Sequence, residues 1–217
     1  MAPTNKVIIL GSAQDGGLPQ LGAIHPLDKR AINEPNFRRT AASIAVVSSD
    51  GHSLLIDASP DLRYQHFQTL LSQSEYQNYH NENNRSQPLF NGIVLTHAHI
   101  GHYAGLVHFG KEAANSSGIP TYVTPSMSTF LQSHAPWKQL ITIKNLNLEE
   151  VTPKPYNEAT PITVWDGLQI KLFTVPHRAE FTGLFLLSKL LFHLVPNFEH
   201  QILLAFQSMT SYCTSLI

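Results

Sequence analysis

The sequence predicts an α/β fold built around a mixed β-sheet. Short apolar runs that are typical of buried strands alternate along the chain with segments whose apolar residues recur at helical spacing. Two of these runs, residues 42–48 and 53–58, are separated only by a short turn that contains Gly51, which predicts an antiparallel hairpin. A hairpin followed by strand–helix–strand units places antiparallel and parallel neighbours in one sheet.

The length and composition favour one domain, or two small halves that share a core. The chain has 217 residues, of which 42% are hydrophobic, and this length is ample to bury one core. Its net charge of -1 gives no reason to expect nucleic acid or a membrane surface as a partner. The single cysteine, Cys213, excludes an internal disulfide and indicates a reducing compartment. Since no apolar stretch reaches the roughly 20 residues of a membrane span, we expect a cytoplasmic protein.

The first elements follow from strand, turn and helix-start signals. Residues 6–10 form a β run that ends at Gly11 and leads into a long loop rich in glycine and proline. Residues 59–73 predict a helix, because a serine cap and a proline at the first helical position precede apolar residues at helical spacing. The asparagine- and serine-rich stretch 74–88 holds few apolar residues, so it predicts a mobile surface loop.

The remaining elements alternate between strands and helices. A buried run leading into Thr96 predicts a strand, and residues 103–118 predict a helix with a glycine stop. Further apolar runs predict strands at 120–124, 139–143, 161–164 and 168–175, with a short helix at 125–134. From Gly183 onward the apolar residues run nearly all round a helix, which suits either a buried helix or a segment without a defined place in the fold.

Three histidines, His97, His99 and His102, follow a predicted strand within six positions. Residues two apart on a strand point the same way, so the first two can present imidazoles to one point, and the third faces the same cleft from the next helix start. Imidazole suits zinc, iron, nickel and copper, and three protein ligands with an open position are typical of a catalytic site. The alternative is three solvated or helix-capping histidines, in a chain that has 12.

A fourth candidate, His177, leaves the end of the β run 168–175, so a second strand end would deliver a histidine to the same sheet edge. The alternative is an ordinary surface histidine. Its neighbours Arg178 and Glu180 are candidate substrate contacts, or else they pair with each other in a solvated loop. The remaining histidines lack a neighbour at ligand spacing. The Gly-rich stretch 13–17 lacks a phosphate-loop lysine, so it predicts a tight turn, although its strand-end position also brings it near the cleft.

Five stretches of the sequence carry a resemblance to a known family: 7–22, 37–65, 92–113, 133–140 and 175–182. Residues 95–102, Leu-Thr-His-Ala-His-Ile-Gly-His, resemble the H-x-H-x-D-H signature that follows a β-strand in the metallo-β-lactamase fold superfamily. Together the stretches are similar to the branch of pyrroloquinoline-quinone biosynthesis protein B. The resemblance implies a four-layer αβ/βα sandwich with mixed sheets, in which metal is bound at the sheet edges between the two halves.

The resemblance also implies roles for individual residues. His97, His99 and His177 would hold a first metal, and His102 would belong to a second metal position. Gly101 departs from the signature, because it stands where an aspartate normally serves the second metal. No aspartate occurs after Asp166, so the carboxylate that bridges two metals in the family is missing as well.

These departures lead us to expect that the second half of the fold is incomplete. On this interpretation residues 1–182 form an incomplete metallo-β-lactamase-like domain, and residues 183–217 are an aberrant apolar tail in a truncated or mis-spliced chain. The tail carries only two charged residues, Lys189 and Glu199, which favours self-association through it.

The sequence therefore predicts a metal-dependent hydrolase-type domain that uses a metal-bound water on a small ester, phosphodiester or cofactor precursor. A bound metal lowers the pKa of water to about 7, which makes a nucleophile near neutral pH. Zn²⁺ is the ion that the ligand types favour, with Fe²⁺ as the alternative. Two other functions stay open: an iron-dependent oxidative enzyme of quinone-cofactor biosynthesis, and an inactive truncated isoform with at most weak metal binding.

Overall fold

The fold was analysed in a computed structural model that describes residues 4–80, 88–152, 154–176 and 188–195, the last eight and residues 174–176 by their backbone. Two sheets pack face to face, and helices cover the opposite face of the larger one. The predicted α/β class with a mixed sheet is confirmed. In the described ranges no helix is both long and apolar enough to cross a membrane.

Sheet 1 has six strands in sequence order. Their bounds are β1 Asn5–Gly11, β2 Ser43–Ser48, β3 Ser53–Ile56, β4 Gly92–Val94, β5 Ile119–Val123 and β6 Leu146–Glu150. The first three strands are antiparallel neighbours, whereas β3 to β6 are parallel. The predicted hairpin is β2–β3, in which Ile44 lies opposite Ile56. Parallel pairing of β3 with β4 brings the carboxyl ends of these two strands to one edge.

Sheet 2 is an antiparallel meander of three strands. Its members are β7 Pro161–Trp165, β8 Leu168–Pro176 and β9 Ser188–Val195. The predicted strands at 161–164 and 168–175 are β7 and β8. The backbone of residues 188–195 pairs with β8 along its whole length, so this part of the apolar tail forms a strand and not the buried helix that its composition suggested. A hydrophobic run without a clear period fits a strand when a long unpaired edge lies beside it.

The helices are α1 Pro26–Asn33, α2 Leu62–Gln68, α3 Ser74–Tyr79, α4 Pro125–Ser133 and α5 Trp137–Thr142. Short 3₁₀ segments lie at Pro35–Phe37, Leu70–Ser72, Ile100–His102 and Ala104–Phe109. In α2 the helix starts three residues later than predicted and is shorter. Within the part of the chain that the structure describes, no helix follows Thr142, so the outer helical layer over sheet 2 that a four-layer sandwich requires is not among these residues.

Two hydrophobic cores occupy the two faces of sheet 1. Alternate residues of β2 and β3 point to opposite sides, so Val47 and Leu55 face the helices while Val46 and Leu54 face sheet 2. The core against the helices includes Tyr76 of α3, Leu131 of α4 and Leu140 of α5; the core between the sheets includes Leu168, Ile170 and Leu172 of β8. Both faces of sheet 1 are therefore covered, which holds its strand ends rigidly.

Several predicted elements are wrong in type. Residues 74–79 form α3 and not a loop, because fully buried Tyr76 packs in the core and its hydroxyl donates to the Leu89 carbonyl at 3.0 Å. The predicted strand at 139–143 lies largely in α5, and β6 was not predicted. A short apolar run does not by itself distinguish a buried strand from one turn of helix. The segment 103–118 forms a 3₁₀ helix and turns where an α-helix was predicted.

The proposed boundary between a domain at 1–182 and a tail at 183–217 stays a prediction. Residues 177–187 lie outside the described part of the chain, and so do residues 196–217. The described backbone of 188–195 belongs to sheet 2.

Candidate metal centre

The site lies where the parallel strands β3 and β4 end side by side. Ile56 pairs with Val94, and the backbone N–H of the next residue, Asp57, donates to the Val94 carbonyl at 2.9 Å. Asp57 therefore leaves the sheet beside Thr96 and His97, which leave it from the neighbouring strand. The parallel register thus brings a carboxylate next to the histidine motif.

Asp57 is a fully buried carboxylate whose oxygens are used by three hydrogen bonds. Its Oδ1 accepts from the Thr96 N–H at 2.8 Å, and its Oδ2 accepts from the Thr96 hydroxyl at 2.7 Å and from His102 Nδ1 at 2.7 Å. Its backbone has a φ of 62°, in the left-handed region, and the Ser43 hydroxyl donates to its carbonyl at 2.8 Å. Such a conformation costs on the order of 1–3 kcal/mol and persists only where the surroundings enforce it. Asp57 is thus held as a rigid acceptor.

The three motif histidines lie together, as their spacing predicted. His97 Nε2 lies 2.9 Å from His99 Nδ1, and the His97 and His102 ring centroids are 4.1 Å apart. The Thr96 hydroxyl donates to Asp57, so it accepts from His97 Nδ1–H at 2.8 Å, and His97 Nε2 then carries a lone pair. This network fixes the His97 tautomer that a metal ligand needs.

His102 is buried between two carboxylates. Its Nδ1 donates to Asp57, and its Nε2 lies 3.3 Å from Asp15 Oδ1. Burial alone lowers the pKa of His102, but the charges of Asp57 and Asp15 and the hydrogen bonds to them outweigh it and raise the pKa to about 9. The same contact lowers the pKa of Asp15. In the protein without a bound cation, His102 is therefore positively charged at neutral pH.

Close packing of a glycine explains how His102 is held over Asp57. Gly105 donates its backbone N–H to the Ala58 carbonyl at 2.9 Å, and a Cβ at position 105 would lie 2.1 Å from the Ser59 carbonyl oxygen. A side chain there would push the segment after His102 away from the loop that carries Asp57. Only glycine permits this approach.

The donor set fits a divalent cation. Ligand atoms of Asp57, His97 and His102 lie within 4.8 Å of one another. Because the oxygens of Asp57 already accept from Thr96 and His102, we assign this residue the role of orienting His102 and leave binding to the imidazoles. His97 Nε2 and His99 Nδ1 form a hydrogen bond at 2.9 Å, and a small increase to the roughly 3.3 Å of two nitrogens on a tetrahedral zinc ion would let both bind one ion.

The other predicted site residues, His177, Arg178 and Glu180, lie outside the described part of the chain. Strand β8 ends at Pro176, so His177 does follow a strand directly, as the sequence indicated. Its participation in the site stays a prediction.

Two residues of the site, Asp57 and Asp15, were not predicted as functional. Asp57 directly follows a predicted strand, and a carboxylate at a strand end is the sequence feature that could have identified it. Asp15 lies in the Gly-rich turn that the sequence analysis placed near the cleft. Among the described residues no other group of three or more histidine, cysteine or acidic side chains comes together in this way, and His25 instead caps α1 by accepting from the Leu27 N–H at 3.3 Å.

Comparison with protein families matches residues 52–188 to the model of the beta-lactamase superfamily domain. The matched range includes Asp57 and all three motif histidines. It covers β3 to β8 and does not include β1 or β2.

Curated relatives share the name coenzyme PQQ synthesis protein B. The protein from Rhodopseudomonas palustris (strain ATCC BAA-98 / CGA009) is 30% identical over 183 residues, which covers 81% of this chain and 54% of the relative. The protein from Xanthomonas campestris pv. campestris (strain B100) is 31% identical over 175 residues, covering 80% of this chain and 52% of the relative. The chain thus spans about half the length of the curated relatives it matches.

Solved structures agree on the fold. The Zn²⁺-bound PqqB from Methylobacterium extorquens superposes with a TM-score of 0.63 at 25% identity, covering 80% of this chain and 52% of that one. A diphosphatase from the PhnP family superposes with a TM-score of 0.58 at 20% identity, covering 88% of this chain and 63% of that one. The second likeness concerns the fold alone.

Proposed function

Since the chain belongs to the beta-lactamase superfamily, we propose that it is a metal-dependent hydrolase-type domain acting on a small ester, phosphodiester or cofactor precursor. The observation that carries the proposal is the convergence of His97 and His99 nitrogens at 2.9 Å beside His102, at the end of β4. Imidazole clusters of this kind are typical of catalytic transition-metal sites.

In the proposed site each residue has a separate task. His97 and His99 bind the ion, with His177 as the third ligand delivered from the end of β8. Thr96 and Asp57 fix the ring orientations of His97 and His102. When bound, the ion supplies a Lewis acid that lowers the pKa of a coordinated water.

His102 is a buried proton-holding group beside His97. In the cation-free protein its Nε2 carries a proton at neutral pH, because Asp57 and Asp15 raise its pKa to about 9. The positive charge of His102 lies beside His97 and disfavours a cation there, so cation affinity rises with pH. Arg178 and Glu180 stay candidate substrate contacts.

Zinc is the proposed ion, with Fe²⁺ as the alternative. Histidine nitrogens suit both ions. The PqqB structure from Methylobacterium extorquens contains Zn²⁺, and 80% of this chain superposes on 52% of it at 25% identity.

A second candidate function rests on similarity to the coenzyme PQQ synthesis proteins B. This similarity covers 81% of the chain at 30% identity and favours a cofactor precursor as substrate. It is also compatible with iron-dependent oxidation of that precursor. Oxygen consumption with Fe²⁺ restored, absent with Zn²⁺, would favour the oxidative function. Hydrolysis of a chromogenic ester or phosphodiester with Zn²⁺ alone would favour the hydrolase.

Metal analysis and zinc calorimetry on the purified chain and its His97→Ala variant test the site. We expect the variant to bind the ion at least about tenfold more weakly, because it loses a direct ligand. The matched control is His25→Asn, which removes an imidazole elsewhere and keeps a good helix cap. Undiminished metal content in His97→Ala contradicts the proposed site. Absence of metal binding together with non-cooperative unfolding of the unmodified chain would support the inactive isoform.

A further inference from the structure

Gly101 has no space for a side chain, because another part of the chain fills that space. A Cβ built at position 101 would lie 2.4 Å from Asp15 Cβ, 2.5 Å from its Cγ and 2.8 Å from its Cα. Contacts this short are not found for real Cβ atoms. The histidine motif and the loop that contains Asp15 therefore pack closely, and this packing requires a glycine at position 101.

Asp15 approaches the site from the side opposite Asp57. Its Oδ1 lies 3.3 Å from His102 Nε2, and its side chain is 44% exposed, whereas the Asp57 side chain is 1% exposed. Both carboxylates contact the same imidazole, but only Asp15 has oxygen surface open to the cleft.

The loop around Asp15 is held by backbone hydrogen bonds. Gly17 N–H donates to the Gln14 carbonyl at 2.8 Å, which closes a tight turn, and Gly17 has a φ of 74°. Leu18 N–H donates to the Arg39 carbonyl at 2.7 Å, and Ala13 N–H donates to the Thr40 carbonyl at 2.9 Å. The turn is therefore pinned on both sides of Asp15 to the segment that leads into β2, which presents the carboxylate at a defined position.

We propose that Asp15 is a cation-binding residue that, together with His102 Nε2, holds a divalent cation beside the one on His97 and His99. The inference rests on the proposed function, because it assumes that the histidine motif binds metal. An oxygen and an imidazole nitrogen 3.3 Å apart are at the separation that two ligands of one ion require. Asp57 fixes the His102 tautomer, so Nε2 faces Asp15. Asp15, which comes from a distant loop, thus supplies the carboxylate that Gly101 cannot supply.

Zinc calorimetry on the full chain tests the assignment with Asp15→Asn, which removes the charge and keeps the shape. We expect unmodified protein to bind two ions, and Asp15→Asn to lose the second or bind it at least about tenfold more weakly while the first is retained. Asp50→Asn is the matched control, because Asp50 also pairs with a histidine, His52 at 2.9 Å, away from this cluster. The control should bind as the unmodified protein does.

A carboxylate exchange separates cation binding from a merely structural ion pair. Asp15→Gly combined with Gly101→Asp removes the two nearest obstructing atoms, Asp15 Cβ and Cγ, and places a carboxylate on the motif itself. The backbone Cα at position 15, 2.8 Å away, must still shift slightly. We expect this double variant to recover second-ion affinity relative to Asp15→Gly alone, whereas Gly101→Asp alone lowers the melting temperature because its Cβ meets Asp15.

The outcomes distinguish this inference from the proposed function. Equal ion number and affinity in Asp15→Asn and the unmodified protein overturns the role of Asp15 and leaves the site on His97 and His99 intact. Absence of zinc binding in the unmodified protein overturns both. Should the double variant fail to fold, the Asp15→Asn titration still decides.

Discussion

The two sheets differ in how completely their faces are covered. Every residue of β2, Ser43–Ser48, and of β3, Ser53–Ile56, is buried, because sheet 1 has helices on one side and sheet 2 on the other. In β7, Pro161–Trp165, exposed and half-buried residues alternate, with only the last residue buried. Sheet 2 therefore owes its described packing to one face.

This difference teaches where the preorganised part of the site lies. Asp57 and the three motif histidines leave the doubly covered sheet, so their positions are set by two cores and a closed hydrogen-bond network. The proposed third ligand, His177, follows the sheet that is covered on one face. With His177 as the third ligand, as proposed, the site would combine this rigid half with a ligand from the more exposed sheet.

Replacing Asp57 with alanine is the strongest test of the rigid half. The variant leaves the Thr96 N–H and hydroxyl without their acceptor and His102 without its buried counter-charge, so we expect a loss of about 3–5 kcal/mol in the free energy of unfolding. Urea denaturation measures it. Asp57→Asn, which keeps the volume, should lose less; a loss below about 1 kcal/mol in Asp57→Ala would refute the view of Asp57 as the anchor of the site.

Replacing Ile170 with alanine tests whether sheet 2 depends on its single covered face. Ile170 is fully buried between the sheets, so its truncation should cost about 3 kcal/mol through lost burial and a cavity. Its exposed neighbour Gln169 provides the control, and Gln169→Ala should change the free energy of unfolding by no more than about 0.5 kcal/mol. Equal effects of the two substitutions would show that the sheets do not depend on each other.

The pH dependence of stability reports on the charges concentrated at the edge of sheet 1. The folded-state pKa of His102, about 9, lies above its ordinary value of 6.5, so protonation stabilises the fold. This contribution, about 3 kcal/mol, is fully present below about pH 6.5 and is lost as the pH rises through 9. Metal-free protein unfolded by urea across this range should show the decrease, and His102→Gln should flatten it. An unchanged slope in that variant would assign the effect to other groups.

Local sequence patterns were enough for features that depend on near neighbours. The β2–β3 hairpin and the grouping of His97, His99 and His102 follow from turn chemistry and residue spacing, and both are found in the structure. The secondary structure of short apolar segments was harder to predict, because the choice between helix and strand in α5 and β6 depends on the core against which they pack. Likewise, one buried side chain, Tyr76, makes a helix out of a stretch whose composition predicted a loop.

The sequence by itself determined the chemistry of this site, because imidazole nitrogens spaced two and three residues apart at a strand end have few other arrangements. Only the tertiary structure decided which carboxylates contact these imidazoles. Asp57 arrives through the parallel register of β3 with β4, and Asp15 through a loop that fills the space left by Gly101. Both contacts join residues far apart in the chain, and such contacts are set by packing and backbone pairing, which no local pattern encodes.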